Sequence, residues 1–461
     1  MINNKLELFK QEIKGKKISV IGIGVSNIPA IKYLNNLGGY IIARDKSSEI
    51  PEELKDLENI EFILGEEYLS GLKESDYIFR SPGIKPFLPE IKEAVDAGVI
   101  LTSEIETFIN ITPAHVIAVT GSDGKTTTTT LTYKFLEEAG KKVYVGGNIG
   151  IPLLDKVEEM TEDDYVVLEL SSFQLMTLAE KIDRAAITNI SPNHLDYHND
   201  YEEYINSKAN IFKGQDEFGL LVLNADDNMS DRYEVEAKGK ISKFSIKKPV
   251  EDGVYYENGK IIASNNCITE EIVDTSEIKI VGMHNVANIC TACSLILDIC
   301  GKEVIQKVVR TFPGVEHRME FVREKNGVKW YNDSLASSPT RTMSGLKAFN
   351  KKIILIAGGY DKKIPYDVMG PHIMDEVKIL VLVGATADKI RKAVEAEAEK
   401  RKVECIKIVE FDNLKSAVNY CNENSQEGDI VSMSPASASF DLYKNAVERG
   451  LYFKELVNQL N

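Results

Sequence analysis

The chain has 461 residues, 43% of them hydrophobic, and a formal net charge of −16. At roughly 100–200 residues per domain it holds about two to four domains with material for several cores, and no low-complexity tract argues for disorder. So acidic a chain is repelled by polyanions; this excludes a general nucleic-acid or anionic-membrane binder and leaves any bound phosphate to local cations, helix N-termini or a metal.

The opening MINNKLELFKQEIKGKK has no apolar core of signal-peptide type. No apolar run approaches the roughly 18 residues of a membrane span. Cys267, Cys290, Cys293, Cys300, Cys405 and Cys421 are expected to be reduced thiols of a cytoplasmic protein. KISVIGIG (17–24), YIIARD (40–45) and DYIFRSPGI (76–84) read as strands, the last running into a turn. Gly22–Asn27 after the first strand, with Asp45 closing the second, is close to the dinucleotide fingerprint G-x-G-x-x-G, but Asn27 stands at its third glycine. The turn suits NAD or any other nucleotide diphosphate, and a plain turn is the alternative.

AHVIAVTGSDGK (114–125) begins a strand–loop–helix unit, with TTTTTLTYKFLEEAG as its helix. The common phosphate loop has Gly, four residues, then Gly-Lys-Ser/Thr. Here Gly124-Lys125-Thr126 is preceded by Val119 at the first glycine's place, and a glycine comes instead at Gly121. The context still favours phosphate: N–H groups open a helix, Lys125 reaches the β/γ-phosphates and Thr126 can ligate Mg²⁺.

DYVVLELSSF (164–173), RAAITNISPNHLD (184–196) and GLLVLNADD (219–227) read as further strands. Glu169 ends a buried-looking strand, where a carboxylate needs a partner and where α/β sheets face their ligands; it is a candidate metal ligand. His194 and Asp196 follow the next strand and Lys208 lies on an amphipathic helix, a set suited to a second metal. His198 reads as a surface residue. NVANICTACSLILDIC reads as a helix with Cys290, Cys293 and Cys300 on one apolar face, hence buried thiols rather than a redox or zinc pair.

The pattern restarts after FPGVEHRME (312–320) with KWYNDS (329–334), KKIILIAGGYDKK (351–363), VKILVLVG (377–384) and DIVSMSPASASFD (429–441). A final helix is expected from Phe440 onward, its N-terminus suited to a carboxylate. Turn-forming stretches near 110 and 313 divide the chain into 1–110, 111–313 and 314–461. The fold class is α/β: a Rossmann-like first domain, a central domain of phosphate-loop ATPase type on a parallel sheet, and a Rossmann-like third domain.

TGSDGKTT, GGNIG, LELSSFQL, NISPNHLDYH with SKANIF, GMHNVAN, PGVEHRME, YNDS, AGGYDKK and SPASASFDLYKN occur in the order found in the Mur ligases. The chain resembles that family over all three domains, and T-G-x-x-G-K-T/S is the family's own phosphate loop. The resemblance implies a cytoplasmic ATP-dependent amide ligase of peptidoglycan precursor synthesis, of the branch joining glutamate to UDP-N-acetylmuramoyl-L-alanine. The γ-phosphoryl then goes to a substrate carboxylate, forming an acyl phosphate that the amine attacks. Gly121, Ser122, Asp123, Gly124, Lys125, Thr126 and Thr127 match the ATP loop, and Asn285, Asn288, His317, Arg318 and Asp333 other nucleotide-side positions. Lys125, Glu169, His194 and Lys208 match catalytic positions. Thr126, Glu169, His194 and Lys208 match two Mg²⁺ sites, the family lysine at 208 being carbamylated. Gly24, Val25, Ser26, Asn27, Asp45, Ser81, Pro82, Gly83 and Asn148 match the UDP-muramoyl side. Ser337, Lys362, Ser439 and Phe440 match the glutamate side. A monomer hinged near 313 follows. Leu335, Ser337 and Ala446 stand where the D-glutamate form has Lys, Thr and often Phe, which leaves D- and L-glutamate both open. A diamino-acid or folate ligase, an NAD enzyme and a nucleotide-gated binding protein are the alternatives.

Overall fold

A computed structural model describes residues 3–24, 26–192, 197–280, 282–349, 351–362 and 364–460. The chain forms two compact units, Met1–Ser276 with Val286–Val308, and Glu277–Asn285 with Val309–Asn461.

The first unit holds two sheets. One has the spatial order Ile60–Leu64, Tyr40–Asp45, Lys17–Ile21, Tyr77–Arg80, Ile100–Thr102, all parallel. The order reverses between Lys17–Ile21 and Tyr77–Arg80, so their C-terminal ends flank the crevice where such sheets bind ligands. Ile18, Val20 and Ile21 are fully buried, as expected of a central parallel strand covered on both faces.

The other sheet runs Ile268–Asp274, Lys260–Asn265, Gly253–Glu257, Lys240–Ser245, Leu220–Asn224, Arg184–Ile187, His115–Thr120, Tyr165–Glu169, Val143–Gly147. Its first three strands pair antiparallel with one another, and every pairing from Gly253–Glu257 onward is parallel. Helix Met283–Cys300 has 18 residues and, among the described residues, is the one helix long and apolar enough to cross a membrane. This corrects the expectation that no run reaches span length. Seven of its apolar residues, from Val286 to Ile296, are buried, as in a core helix that is apolar all round. Cys290 and Cys293 are free buried thiols, pushed up by burial, and Cys300 is half-buried.

The second unit carries the order Glu320–Lys325, Val328–Asn332, Ile430–Met433, Ile353–Ala357, Val377–Val383, Lys407–Phe411, parallel except for the first pair. Helices cover both faces, Met369–Glu376 and Ala387–Arg401 on one, Leu414–Asn424 and Ala446–Gln459 on the other. The last helix begins at Ala446, six residues beyond the expected Phe440, because Asn445 caps it by accepting from Glu448 N.

Candidate active site

Strand His115–Thr120 is buried after its first residue and delivers the chain to a loop with two left-handed glycines, Gly121 (φ 146°) and Gly124 (φ 82°). A Cβ at Gly121 would meet the Thr188 hydroxyl, and one at Gly124 the Asn288 amide oxygen. Both positions therefore require glycine for conformation and for space. The loop is pinned from the neighbouring strand end. Ser122 N donates to Asn189 O at 2.8 Å and Asp123 N to Asn189 Oδ1 at 3.0 Å, while Asn189 Nδ2 donates to Asp123 O at 3.0 Å. Ser122 Oγ donates to Ser191 O at 2.9 Å and lies 2.8 Å from the Tyr204 hydroxyl. Helix Lys125–Glu138 then starts with Gly124 as N-cap and no side-chain cap, so its first turn suits an anion. Thr126 is half-buried and Thr127 buried.

Asn189 was not among the expected site residues; its signal was a polar residue at a strand end beside the loop. Asn189→Ala removes the two side-chain hydrogen bonds to the loop, worth about 1 kcal/mol each, so nucleotide binding is expected to weaken roughly 10- to 30-fold. Titration with a fluorescent ATP analogue measures it.

Two lysine side chains meet at one oxygen. Lys125 Nζ and Lys208 Nζ each lie 2.8 Å from the Gly121 carbonyl. Lys208 also donates to Thr120 Oγ1 at 3.3 Å and packs over the Tyr204 ring at 4.8 Å. It is 2% exposed, and burial first, then Lys125, hold its amine well below the ordinary lysine range. Glu169 ends the adjacent strand and is 1% exposed. Asn148 donates to its Oε1 at 2.8 Å and to its carbonyl at 2.7 Å. Its other oxygen, Oε2, has no partner among the described residues. A buried carboxylate oxygen left unpaired is a position for a cation, and an oxygen ligand of this kind suits Mg²⁺.

His194 and Asp196 lie outside the described residues. His198 corrects its surface reading: it is 2% exposed, with Nε2 2.9 Å from Ser172 Oγ and Nδ1 3.4 Å from Glu203. Phe173, Tyr197 and Tyr204 surround it, and burial in that aromatic box lowers its pKa. A polar run at a strand end hid a packed ring.

In the first sheet the turns after the two central strands lie together. A Cβ at Gly22 would stand 2.7 Å from the Ser81 Cβ. Asp45 accepts from Ile23 N at 2.7 Å and Ser47 N at 2.8 Å, and Asn27 Nδ2 donates to Gly22 O at 2.8 Å. Gly24 and Gly83 are exposed with open space where a Cβ would stand, and Ser26, Ser81 and Pro82 are half-buried around them. Val25 lies outside the described residues.

The second unit gathers its own set. Asp333 is 4% exposed, accepts from Ser434 Oγ at 2.7 Å and Met319 N at 3.2 Å, and is pushed up to about 6 by burial. His317 (φ 61°) is buried with Nδ1 2.9 Å from Asn332 Nδ2, and Arg318 beside it is half-buried. Ser337 is half-buried, Ser439 buried, and Lys362 and Phe440 exposed. Tyr360 N donates to Ala438 O at 2.9 Å, so the loops bearing Lys362 and Ser439 are joined. The expected carboxylate site at a helix start by Phe440 is corrected by the helix beginning at Ala446 with its own cap. Asn285 is buried in this unit's Glu277–Asn285 segment, and Asn288 is buried in the first unit.

Asp333 sets a pH dependence. A folded pKa raised from 3.8 to about 6 means the folded state keeps a proton the unfolded state has lost. Stability from this group is present below the unfolded value and falls as pH rises through about 6, by up to about 3 kcal/mol. Asp333→Asn is expected to melt progressively higher than the parent as pH goes from 5 to 7.5, since the amide can donate to Ser434, which passes its proton to Thr342. Parallel melting curves with a constant offset would refute this.

Residues 16–103 match the Mur ligase MurD-like N-terminal domain, 119–296 the Mur ligase middle domain and 317–437 the Mur ligase glutamate ligase domain. The chain is 50% identical over 466 residues to the UDP-N-acetylmuramoylalanine–D-glutamate ligase of Ruminiclostridium cellulolyticum, covering 100% of both chains. It is 50% identical to the same-named ligase of Acetivibrio thermocellus, again over 100% of both. MurC from Thermotoga maritima, UDP-N-acetylmuramate-alanine ligase, shares the fold with a TM-score of 0.58 at 17% identity, over 96% of this chain and 99% of that one. MurF from Acinetobacter baumannii does so with 0.59 at 15% identity, over 97% and 92%. With three domains matched in order and full-length relatives at half identity, the chain belongs to the Mur ligase family.

Proposed function

We propose that the chain is an ATP-dependent ligase that adds D-glutamate to UDP-N-acetylmuramoyl-L-alanine in peptidoglycan precursor synthesis. The carrying observation is the convergence of Lys125 and Lys208 on the Gly121 carbonyl, with buried Glu169 on the adjacent strand, at a phosphate-type loop. The full-length relatives bear the D-glutamate name, which favours that isomer with Leu335 and Ala446 as tolerated changes. The enzyme works as a cytoplasmic monomer.

The chemistry follows from charge. A carboxylate is unreactive to amines because its oxygen leaves poorly. The substrate carboxylate oxygen attacks the γ-phosphorus, the bond to ADP breaks, and an acyl phosphate forms. The glutamate amine then attacks the acyl carbon, loses a proton, and inorganic phosphate leaves. Both reactants of the first step are anions, so cations must stand between them. Lys125 and the loop N–H groups of Gly121–Thr127 take the phosphates. Thr126 and Glu169 would hold one Mg²⁺, and His194 and Lys208 would serve a second. Bound Mg²⁺ supplies charge neutralisation of the phosphoryl oxygens. Lys208 is suited to carbamylation because burial pushes its amine well below the ordinary lysine range, which favours the free lone pair: that lone pair adds to CO₂ and a proton is released, leaving an anionic carbamate able to help position a metal.

The UDP end occupies the Gly24–Asn27 and Ser81–Gly83 turns with Asp45, within 1–110. Asn148 orients the muramoyl side. Asn285, Asn288, His317, Arg318 and Asp333 serve the nucleotide, and Ser337, Lys362, Ser439 and Phe440 the glutamate. A heavy-oxygen label in the UDP-substrate carboxylate tests the route: it must appear in the released phosphate. Label-free phosphate would contradict the acyl phosphate.

A further inference from the structure

Arg80 ends strand Tyr77–Arg80, one residue before the Ser81-Pro82-Gly83 turn, and is 1% exposed. Its Nη1 donates to three carbonyls of that turn, Ser81 and Pro82 at 3.3 Å and Ile84 at 2.7 Å. Its Nη2 points to another domain, donating to Phe173 O at 3.2 Å and Thr177 Oγ1 at 3.4 Å. Thr177 donates in turn to Glu106 Oε1 at 2.5 Å, and Glu106 is 3% exposed. Among the described residues no carboxylate touches the guanidinium directly, and Glu106 acts on it from beyond Thr177. Two buried charges are thus linked through one hydroxyl, an arrangement costly to bury and poor as a source of stability. What it supplies is geometry. A planar fork can fold one turn around one nitrogen while gripping a second segment with the other, which an ammonium cannot do in fixed directions.

The second segment is the one that follows Glu169 in the chain. Tyr197 reinforces the grip: its hydroxyl donates to the same Pro82 carbonyl at 3.0 Å, and its ring packs on Phe173 with centroids 4.1 Å apart. Lys85, just beyond the turn, lies 5.4 Å from that ring.

We propose that Arg80 is a positioning residue for the UDP-bearing substrate: it shapes the Ser81–Gly83 turn and fixes its distance from the Glu169 segment, with Glu106 as its counter-charge relayed by Thr177. The proposal rests on the reading that this turn holds the UDP end. A substrate anchored at one end and reacting at the other needs that span fixed.

The test is steady-state kinetics of Arg80→Lys, Arg80→Met and Tyr197→Phe, with melting temperatures. The Arg80 variants are expected to raise KM for UDP-N-acetylmuramoyl-L-alanine about 30-fold, with KM for ATP changed less than about twofold. Tyr197→Phe, which keeps the ring and loses one hydrogen bond, is expected to raise the same KM about threefold with little loss of stability. Combining Arg80→Met with Glu106→Gln is expected to fall short of the sum of the single effects. A fall in kcat with melting temperature at unchanged KM would mean a structural role alone and overturn the proposal, as would equal rises in both KM values. Failure of the parent protein to bind the UDP-substrate would instead overturn the underlying functional reading, and this inference with it.

Discussion

Lys208→Ala is expected to reduce ligation by about 10³-fold, the scale of losing a preorganised charge at a phosphoryl-transfer centre. The melting temperature should hold, because the amine is buried with a lowered pKa and its removal relieves a desolvation penalty that offsets the small cavity. Loss of activity without loss of fold separates this site from a structural lysine. If the working group is a carbamate, excess bicarbonate cannot restore Lys208→Ala, since no nitrogen remains to receive CO₂. A short carboxylic acid supplied to the site beside Tyr204 and Thr120 is expected to return part of the activity. Full activity of Lys208→Ala would remove Lys208 from the mechanism. Rescue by an alkylamine instead of an acid would mean that a cation works there.

Lys125→Ala is expected to abolish phosphate release, by about 10³-fold or more, while the UDP-substrate binds as before. The side chain bends over its own loop, to Gly121 O at 2.8 Å and Ser122 O at 3.0 Å. These are carbonyls that a bound phosphate can replace as partners. Its loss strips positive charge from the nucleotide and leaves the Gly22–Asn27 and Ser81–Gly83 turns untouched. Isothermal titration with the UDP-substrate and a phosphate-release assay on the same preparation decide it. Retained turnover would show that the loop does not hold the transferring phosphate.

The central parallel strands were legible because buried, β-branched runs such as KISVI, YIIARD and KIILIA end at glycine or polar turns, whereas less buried parallel strands such as Ile60–Leu64 and Lys407–Phe411 were not. Of the antiparallel strands only Val328–Asn332 was legible, as KWYNDS, although two of the hairpins carried the strongest short-range hairpin signal. Asn258-Gly259 and Asn326-Gly327 both have positive φ and join adjacent strands by two-residue turns. The third such turn, Asn266-Cys267, places a cysteine at φ 63°, and no residue preference announces that. The phosphate loop was read correctly as a loop despite its unusual spacing, since Gly121 and Gly124 carry the conformations its geometry demands. Its bracing by Asn189, the Arg80 fork and the buried His198 were not legible. The first two depend on residues scores of positions apart in the chain, Asn189 with Asp123 and Arg80 with Phe173 and Thr177, and His198 is buried partly by Ser172 and Phe173 from a separate element. Local pattern carries no record of such pairing.

The central claim is tested most directly by phosphate release from ATP in the presence of UDP-N-acetylmuramoyl-L-alanine, with D-glutamate, L-glutamate or diaminopimelate added in parallel. The account predicts release with D-glutamate and none with the other two. Release that ignores the amino acid, or that follows L-glutamate or diaminopimelate, would contradict it.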